Sequence, residues 1–253
     1  MKYYQLLAPL GVFSFQDAMK IIGEFSNTKK SLKSMINNGQ INKIKRDLYA
    51  VIDLSTGDNF SNRFIIASKI TDNAFISYHS AFEFYGFYNQ TYNTVQVSSI
   101  NRFSNFTYDG YNYSYYQTNS DIEVEVIQGA RVTSIERTVV DSINMLGKVM
   151  DVEELIKCLD LIHIIKEEKI KNMLLYYDKD ILYRKVGYIL SFYKEEFNLS
   201  DSFFDFCKSH SNIKNYGNIS NGEIKKLEFI SEWGLYGYRN LRSITNKGGD
   251  LDV

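Results

Sequence analysis

The hydrophobic period changes along this chain, and that constrains the fold more than any other feature. Helical spacing governs most of the first 85 residues, a period of two takes over in short strands between Thr94 and Ile127, and helical spacing returns from Ile135. A period near 3.6 buries one stripe of a helix, whereas a period of two buries one face of a sheet. A chain that moves between them in blocks calls for an α+β fold, with a sheet between helical segments.

The N-terminal block is the most legible. Ser14, followed three places later by Asp17, forms a capping-box pattern that opens a helix from Phe15 to Ile22, with Phe15, Ala18, Met19 and Ile22 on one face and Gly23 as its stop. Ser26 or Asn27 caps a second helix that runs to Asn37, where Asn38-Gly39 supplies a left-handed stop. Leu32, Met35 and Ile36 form its buried face, which leaves Lys29, Lys30, Lys33, Ser34 and Asn37 to solvent. Ile41 to Lys45 and Leu48 to Ile52 then read as two strands around the turn Arg46-Asp47. Helix, turn, helix and hairpin in that order predict a winged helix-turn-helix over residues 1–53.

The polar stretch Asp53 to Asn59 reads as a linker, and residues 60–253 as a larger mixed domain, sheet-rich over 60–130 and helical over 134–210. Helices are expected at Phe60 to Ile70 and Ser77 to Tyr85. Strands are expected at Thr94 to Ser99, Phe106 to Tyr108, Tyr111 to Tyr116 and Ile122 to Ile127, with Asp109-Gly110 as a hairpin turn, in a mainly antiparallel sheet. Further helices are expected at Ile135 to Leu146, Val152 to Ile165, Glu167 to Tyr177, Asp180 to Glu196 and Asp201 to Ser209, and Ile224 to Leu235 leans to strand.

Charge supports a division of labour. The whole chain carries 29 Lys+Arg against 30 Asp+Glu, but residues 1–52 hold eight cations and three acids, a balance of +5 that leaves −6 for the rest. A basic head on a mildly acidic body suits one DNA-facing domain. On a winged helix the second helix enters the major groove, so Lys29, Lys30 and Lys33 would meet phosphates, and Lys43, Lys45 and Arg46 would reach the neighbouring backbone. Lysine binds phosphate as a point charge, which leaves base reading to Ser31, Ser34, Asn37 and Arg46. A solvated basic face on a protein-binding domain is the bland alternative.

Other classes are disfavoured. Cys158 and Cys207 make neither a disulfide framework nor a zinc site, no apolar run approaches the ~20 residues of a membrane span, and Phe15-Gln16-Asp17 interrupts the N-terminal apolar stretch too soon for a signal peptide. The expected place is the cytoplasm. The 37 Tyr and Phe are expected to be core rather than a stacking surface. Asp121, Glu123 and Glu125 alternate as nuclease acids would, but no Glu-x-Lys follows; Gly248-Gly249-Asp250-Leu251-Asp252 resembles a nucleotidyltransferase signature with no following sheet to supply a third acid. There is no phosphate-binding Gly-x-x-x-x-Gly-Lys loop and no Gly-x-Ser-x-Gly elbow. No catalytic residue, metal or cofactor is expected. His79 reads as a packed histidine, and Arg137 sits four residues before Asp141 at salt-bridge spacing on one helical face.

Four segments in order, Ile44-Lys45-Arg46-Asp47-Leu48-Tyr49-Ala50-Val51, Ile76-Ser77-Tyr78-His79-Ser80-Ala81 with Gly86, Val132 to Asp141, and Val186-Gly187-Tyr188-Ile189-Leu190, resemble the AbiEi antitoxins of type IV toxin-antitoxin (AbiE abortive infection) systems. The resemblance runs from about residue 4 to residue 195, and departs at Asp47, where the family pattern has Gly. It implies an autorepressor that binds inverted repeats in double-stranded operator DNA. It also implies an antitoxin domain that counters a nucleotidyltransferase-like AbiEii toxin without a stable complex. Ser77, His79, Arg137 and Asp141 are the matched positions of that domain, read first as supports of the fold. A winged-helix regulator whose larger domain binds a ligand or partner is the alternative.

Overall fold

The computed structural model describes residues 2–220 and 227–248. Residues 224–226 of the expected 224–235 strand, and Gly249 to Asp252 of the acidic motif, lie outside the described residues. The chain is a mixed α+β protein that divides into two compact units, Met1–Ser80 with Tyr92–Val132, and Ala81–Thr91 with Thr133–Val253.

The first unit opens with α1 (Lys2–Leu7), a 3-10 turn (Ala8–Leu10) and β1 (Val12–Ser14), and continues through α2 (Phe15–Ile22), α3 (Phe25–Asn37), β2 (Ile41–Lys45) and β3 (Leu48–Val51). The capping box forms: the Ser14 hydroxyl accepts from the Asp17 amide at 3.1 Å while the Asp17 carboxylate accepts from the Ser14 amide at 3.1 Å. Such a cap is worth about 1 kcal/mol, and α2 has the bounds expected of it. Helix α3 starts earlier than expected, at Phe25, with neither Ser26 nor Asn27 as its cap. The three strands make an antiparallel sheet in the order β1-β3-β2, with β1 an element that alternation over three residues is too short to reveal. Leu7, Phe13, Ala18, Leu32, Ile41 and Tyr49 pack into one cluster between helices and sheet, with Phe13 and Tyr49 stacked at 5.6 Å.

Beyond the 53–59 turns come α4 (Arg63–Ser68), β4 (Phe75–Ile76), α5 (Tyr78–Tyr85), β5 (Thr94–Ser99), β6 (Phe106–Tyr108), β7 (Tyr111–Gln117), β8 (Val124–Ile127) and β9 (Ala130–Thr133). The strands form one six-stranded sheet in the order β6-β7-β5-β4-β9-β8. This sheet is mixed, where a mainly antiparallel one was expected. Strands β6 and β7 are a hairpin on Asp109-Gly110, both at positive φ, and β4 pairs antiparallel with β5, but β5 pairs parallel with β7 and β4 parallel with β9. The reason is the 100–105 segment, which carries the chain past the sheet edge so that β6 lies outside and β7 returns alongside β5 in the same direction. Residues 95–99 of β5 are all buried, as a central strand requires.

In the second unit, α6 (Ile135–Asn144), α7 (Val152–Leu159), α8 (Glu167–Tyr177), α9 (Asp180–Ser191) and α10 (Asp201–Ser209) surround a core that includes Val139, Leu155, Met173, Ile189 and Phe203. Helices α6, α7 and α9 are shorter than their apolar patterns suggest, because the last apolar residues continue into turns. A small sheet in the order β10-β12-β11, from β10 (Gly217–Asn218), β11 (Glu228–Ile230) and β12 (Leu235–Gly237), completes it.

Gly187, inside α9, lies against the indole of Trp233, itself only 2% exposed. A Cβ there would overlap the Trp233 six-membered ring. Alanine is the better helix former by about 1 kcal/mol, yet the displaced indole outweighs that gain. Gly187→Ala is expected to destabilise the protein by about 1–3 kcal/mol; an equal or higher urea midpoint would refute the packing argument.

Candidate nucleic-acid interface

Helix α3 sets out two faces with different chemistry. Thr28, Leu32 and Met35, at i, i+4 and i+7, are buried, while Lys29, Lys30, Lys33, Ser34 and Asn37 are exposed and Ser31 is half-buried. Ile36, expected in the core, is 37% exposed, so the buried stripe is narrower than the sequence suggests. Among the described residues none of Lys29, Lys30, Lys33 or Lys43 has a carboxylate within 4.0 Å. Elsewhere lysines are neutralised along their own helices, as in Lys20 with Asp17 at 3.2 Å or Lys171 with Glu167 at 2.6 Å. The α3 lysines therefore present uncompensated positive charge.

The β2–β3 hairpin adds to it. Lys45 pairs with Leu48 across a two-residue turn, and Asp47 takes φ +60° at the tip. Asp is among the few residues besides Gly that adopt this conformation at modest cost, so the turn forms without a glycine at its tip. The Asp47 carbonyl accepts from the Phe15 amide at 3.0 Å, tying the tip to the start of α2. Arg46 and Lys43 are exposed, and Arg46 Nε lies 3.5 Å from the Asp47 carboxylate. Lys45 is half-buried with its ammonium 5.2 and 5.5 Å from the ring centroids of Phe103 and Phe106, and burial pulls its pKa down.

Ser77, His79, Arg137 and Asp141 are internal. The Ser77 hydroxyl accepts from Ser98 at 2.8 Å, and the His79 amide donates to the Gln96 side-chain oxygen at 2.8 Å while its ring meets Tyr92 edge-on at 4.4 Å. Tyr78 between them sits at φ +54°, a strained setting for an aromatic residue held by this network. Arg137 Nε donates to Asp141 at 3.1 Å, and the Tyr177 hydroxyl donates to the other Asp141 oxygen at 2.6 Å. Burial pushes the Asp141 carboxyl up, and Arg137 and Tyr177 oppose that rise. The structure thus joins Arg137 to Asp141, links Ser77 and His79 through the β5 residues Gln96 and Ser98, and opens none of the four to solvent.

Neither thiol is suited to nucleophilic work, since burial pushes both Cys158 and Cys207 up to about 12. Of the alternating acids, Asp121 is paired with Arg131 at 2.8 Å, and Glu123 stands at φ +53° just before β8. Among the described residues no three His, Cys, Asp or Glu gather as a metal set, and no helix is long and apolar enough to cross a membrane. Sequence reading missed the approach of Arg102, Phe103 and Phe106 to the hairpin tip, a tertiary contact with no local signal.

The architecture is similar to a solved structure, the RV2827C protein from Mycobacterium tuberculosis, with a TM-score of 0.62 over 93% of this chain and 91% of that chain. Sequence identity is 11%, so the likeness carries the fold alone. No family model and no curated protein matches the chain.

Proposed function

We propose that this chain is the antitoxin of a type IV toxin-antitoxin system, a non-enzymatic cytoplasmic protein that represses its own operon and counters a nucleotidyltransferase-like AbiEii toxin. In this reading residues 1–53 are a winged helix-turn-helix with α3 as the recognition helix and the β2–β3 hairpin as the wing, and they bind inverted repeats in double-stranded promoter DNA. The observation that carries it is the exposed α3 face, where Lys29, Lys30 and Lys33 stand without acidic partners among the described residues. The antitoxin half rests on the ordered motif resemblance. The burial of Ser77, His79, Arg137 and Asp141 supports a scaffold role for those positions within it.

The test is a gel shift of the full chain on its promoter inverted repeat, with growth rescue on co-expression with the neighbouring toxin. Binding is expected to weaken linearly in a log-log plot against salt, by about 0.9 log unit for each phosphate contact and log unit of salt. No shift at micromolar protein would end the repressor reading; no rescue would end the antitoxin reading.

One observation favours the ligand-responsive regulator as a second reading. A polar cleft of about 420 Å³ is lined by Asn42, Asp58, Asn59, Arg63, Asp109 and Tyr111. Its size is that of a small-molecule site.

A further inference from the structure

Arg102 belongs to none of the motifs in the sequence, yet it lines the same groove, of about 410 Å³, as Lys45 and Arg46 of the hairpin tip. It lies on the segment between β5 and β6, is exposed, and has no carboxylate within 4.0 Å among the described residues. The acid lining this groove, Asp47, sits beside Arg46, so three cations face one carboxylate. The segment is pinned at both ends. The Asn101 amide donates to Asn73 at 3.1 Å, Ser99 donates to the Asn101 carbonyl at 2.8 Å, and the Asn105 side-chain oxygen accepts from the Tyr115 amide at 2.8 Å. Arg102 is therefore presented on a fixed backbone, which lowers the ordering cost of any contact it makes.

The chemistry of the groove selects its occupant. The Lys45 ammonium already lies over Phe103 and Phe106, and Phe106 is stacked on Tyr113 at 4.8 Å, so these rings are not open faces for a nucleobase. What the groove presents is positive charge with the polar Ser104 and Asn105 beside it, both exposed. A small anion would stay largely hydrated there. A polyanion that also engages Arg46 and Lys43 gains from each charge and releases counterions. We propose that Arg102 extends the DNA interface beyond residues 1–53 by gripping the sugar-phosphate backbone of the operator beside the wing tip. This rests on the reading of α3 and the hairpin as the DNA-binding elements.

The experiment is fluorescence anisotropy of the full chain on labelled promoter-repeat and scrambled duplexes over a range of salt. It compares wild type with Arg102→Ala, Arg102→Lys and the combined Lys29→Ala, Lys30→Ala, Lys33→Ala variant. Loss of one phosphate contact should make Arg102→Ala about fivefold weaker at about 0.15 M salt, with a log-log slope shallower by about one. The loss should be equal on both duplexes, because phosphate contacts carry no sequence information, and Arg102→Lys should restore the slope. Wild-type affinity and slope in Arg102→Ala, alongside lost binding in the triple-lysine variant, would overturn this contact and leave the α3 reading standing. A weakened Arg102→Ala that Arg102→Lys does not correct would overturn the phosphate assignment. A wild-type chain that binds neither duplex would overturn both.

Discussion

Asp141→Ala is expected to cost about 3–5 kcal/mol of folding stability, a large share of what a domain possesses. Arg137 is 1% exposed and its Nε donates to Asp141 at 3.1 Å, so removing the carboxylate takes this charge-assisted bond from a buried guanidinium where water does not replace it. Tyr177 loses its 2.6 Å acceptor in the same step. The cost comes from depriving a buried guanidinium of this acceptor rather than from a large favourable pair energy, because desolvating both ions offsets most of their attraction. The double change Arg137→Met, Asp141→Leu, which keeps volume and removes both charges, should be milder than Asp141→Ala alone, although Tyr177 loses its acceptor in both. Urea unfolding measures both. If Asp141→Ala lost under about 1 kcal/mol, or the double variant lost as much as the single, the buried pair would not be the support that its geometry implies. The same result bears on function: a variant that fails as an antitoxin because it unfolds assigns these residues to the scaffold.

How far sequence reached depended on whether the determining physics was local. Helix α2 was readable to the residue because its start is a reciprocal Ser14–Asp17 cap and its end is Gly23 at φ +107°. The Arg46-Asp47 and Asp109-Gly110 turns were readable because tight hairpins need residues that tolerate positive φ, here Asp47, Asp109 and Gly110. Strands β1, β4 and β10, three residues or fewer and without the hairpin turn that marks β6, are fixed by partners in the sheet and leave no period to detect. The parallel pairing of β5 with β7 is likewise a choice made by the 100–105 path, not by either strand. Helix faces were located but drawn too wide, since Met19 and Ile36 are 39% and 37% exposed.

The candidate interface divides in the same way. The α3 lysines and the hairpin cations were visible as a local excess of charge at helical and hairpin spacing. Lys45 was visible as a cation but not as one lying over two rings, and Arg102 was not visible at all, because its neighbours come from 56 and 57 residues earlier. The aromatic excess supplies core side chains, with Tyr113, Tyr183, Tyr193 and Phe82 each 1% exposed or less. Among the exposed aromatics, Phe229 packs against both Tyr216 and Tyr236 beside the small C-terminal sheet, the three being 43%, 70% and 42% exposed.

The combined change Lys29→Ala, Lys30→Ala, Lys33→Ala is expected to weaken operator binding roughly a hundredfold at about 0.15 M salt and to make the log-log salt slope shallower by nearly three. Both numbers follow from one assumption, that each ammonium neutralises one phosphate and releases its counterion. They must appear together, which makes the prediction stricter than a loss of binding alone. The fold should be indifferent, since the three side chains are exposed without acidic partners among the described residues and the buried face of α3 is Thr28, Leu32 and Met35. Alanine also favours helix slightly over lysine. Ser34→Ala and Asn37→Ala provide the contrast. As uncharged groups on the same face they should leave the salt slope unchanged and narrow the ratio of operator to scrambled binding, by about 1–3 kcal/mol for a lost base contact. Wild-type affinity and slope in the triple variant would show that the basic face of α3 is only a solvated surface. Affinity lost at unchanged slope would place α3 at the DNA with its lysines away from the phosphates, and the charge argument would then fail even though the interface stood.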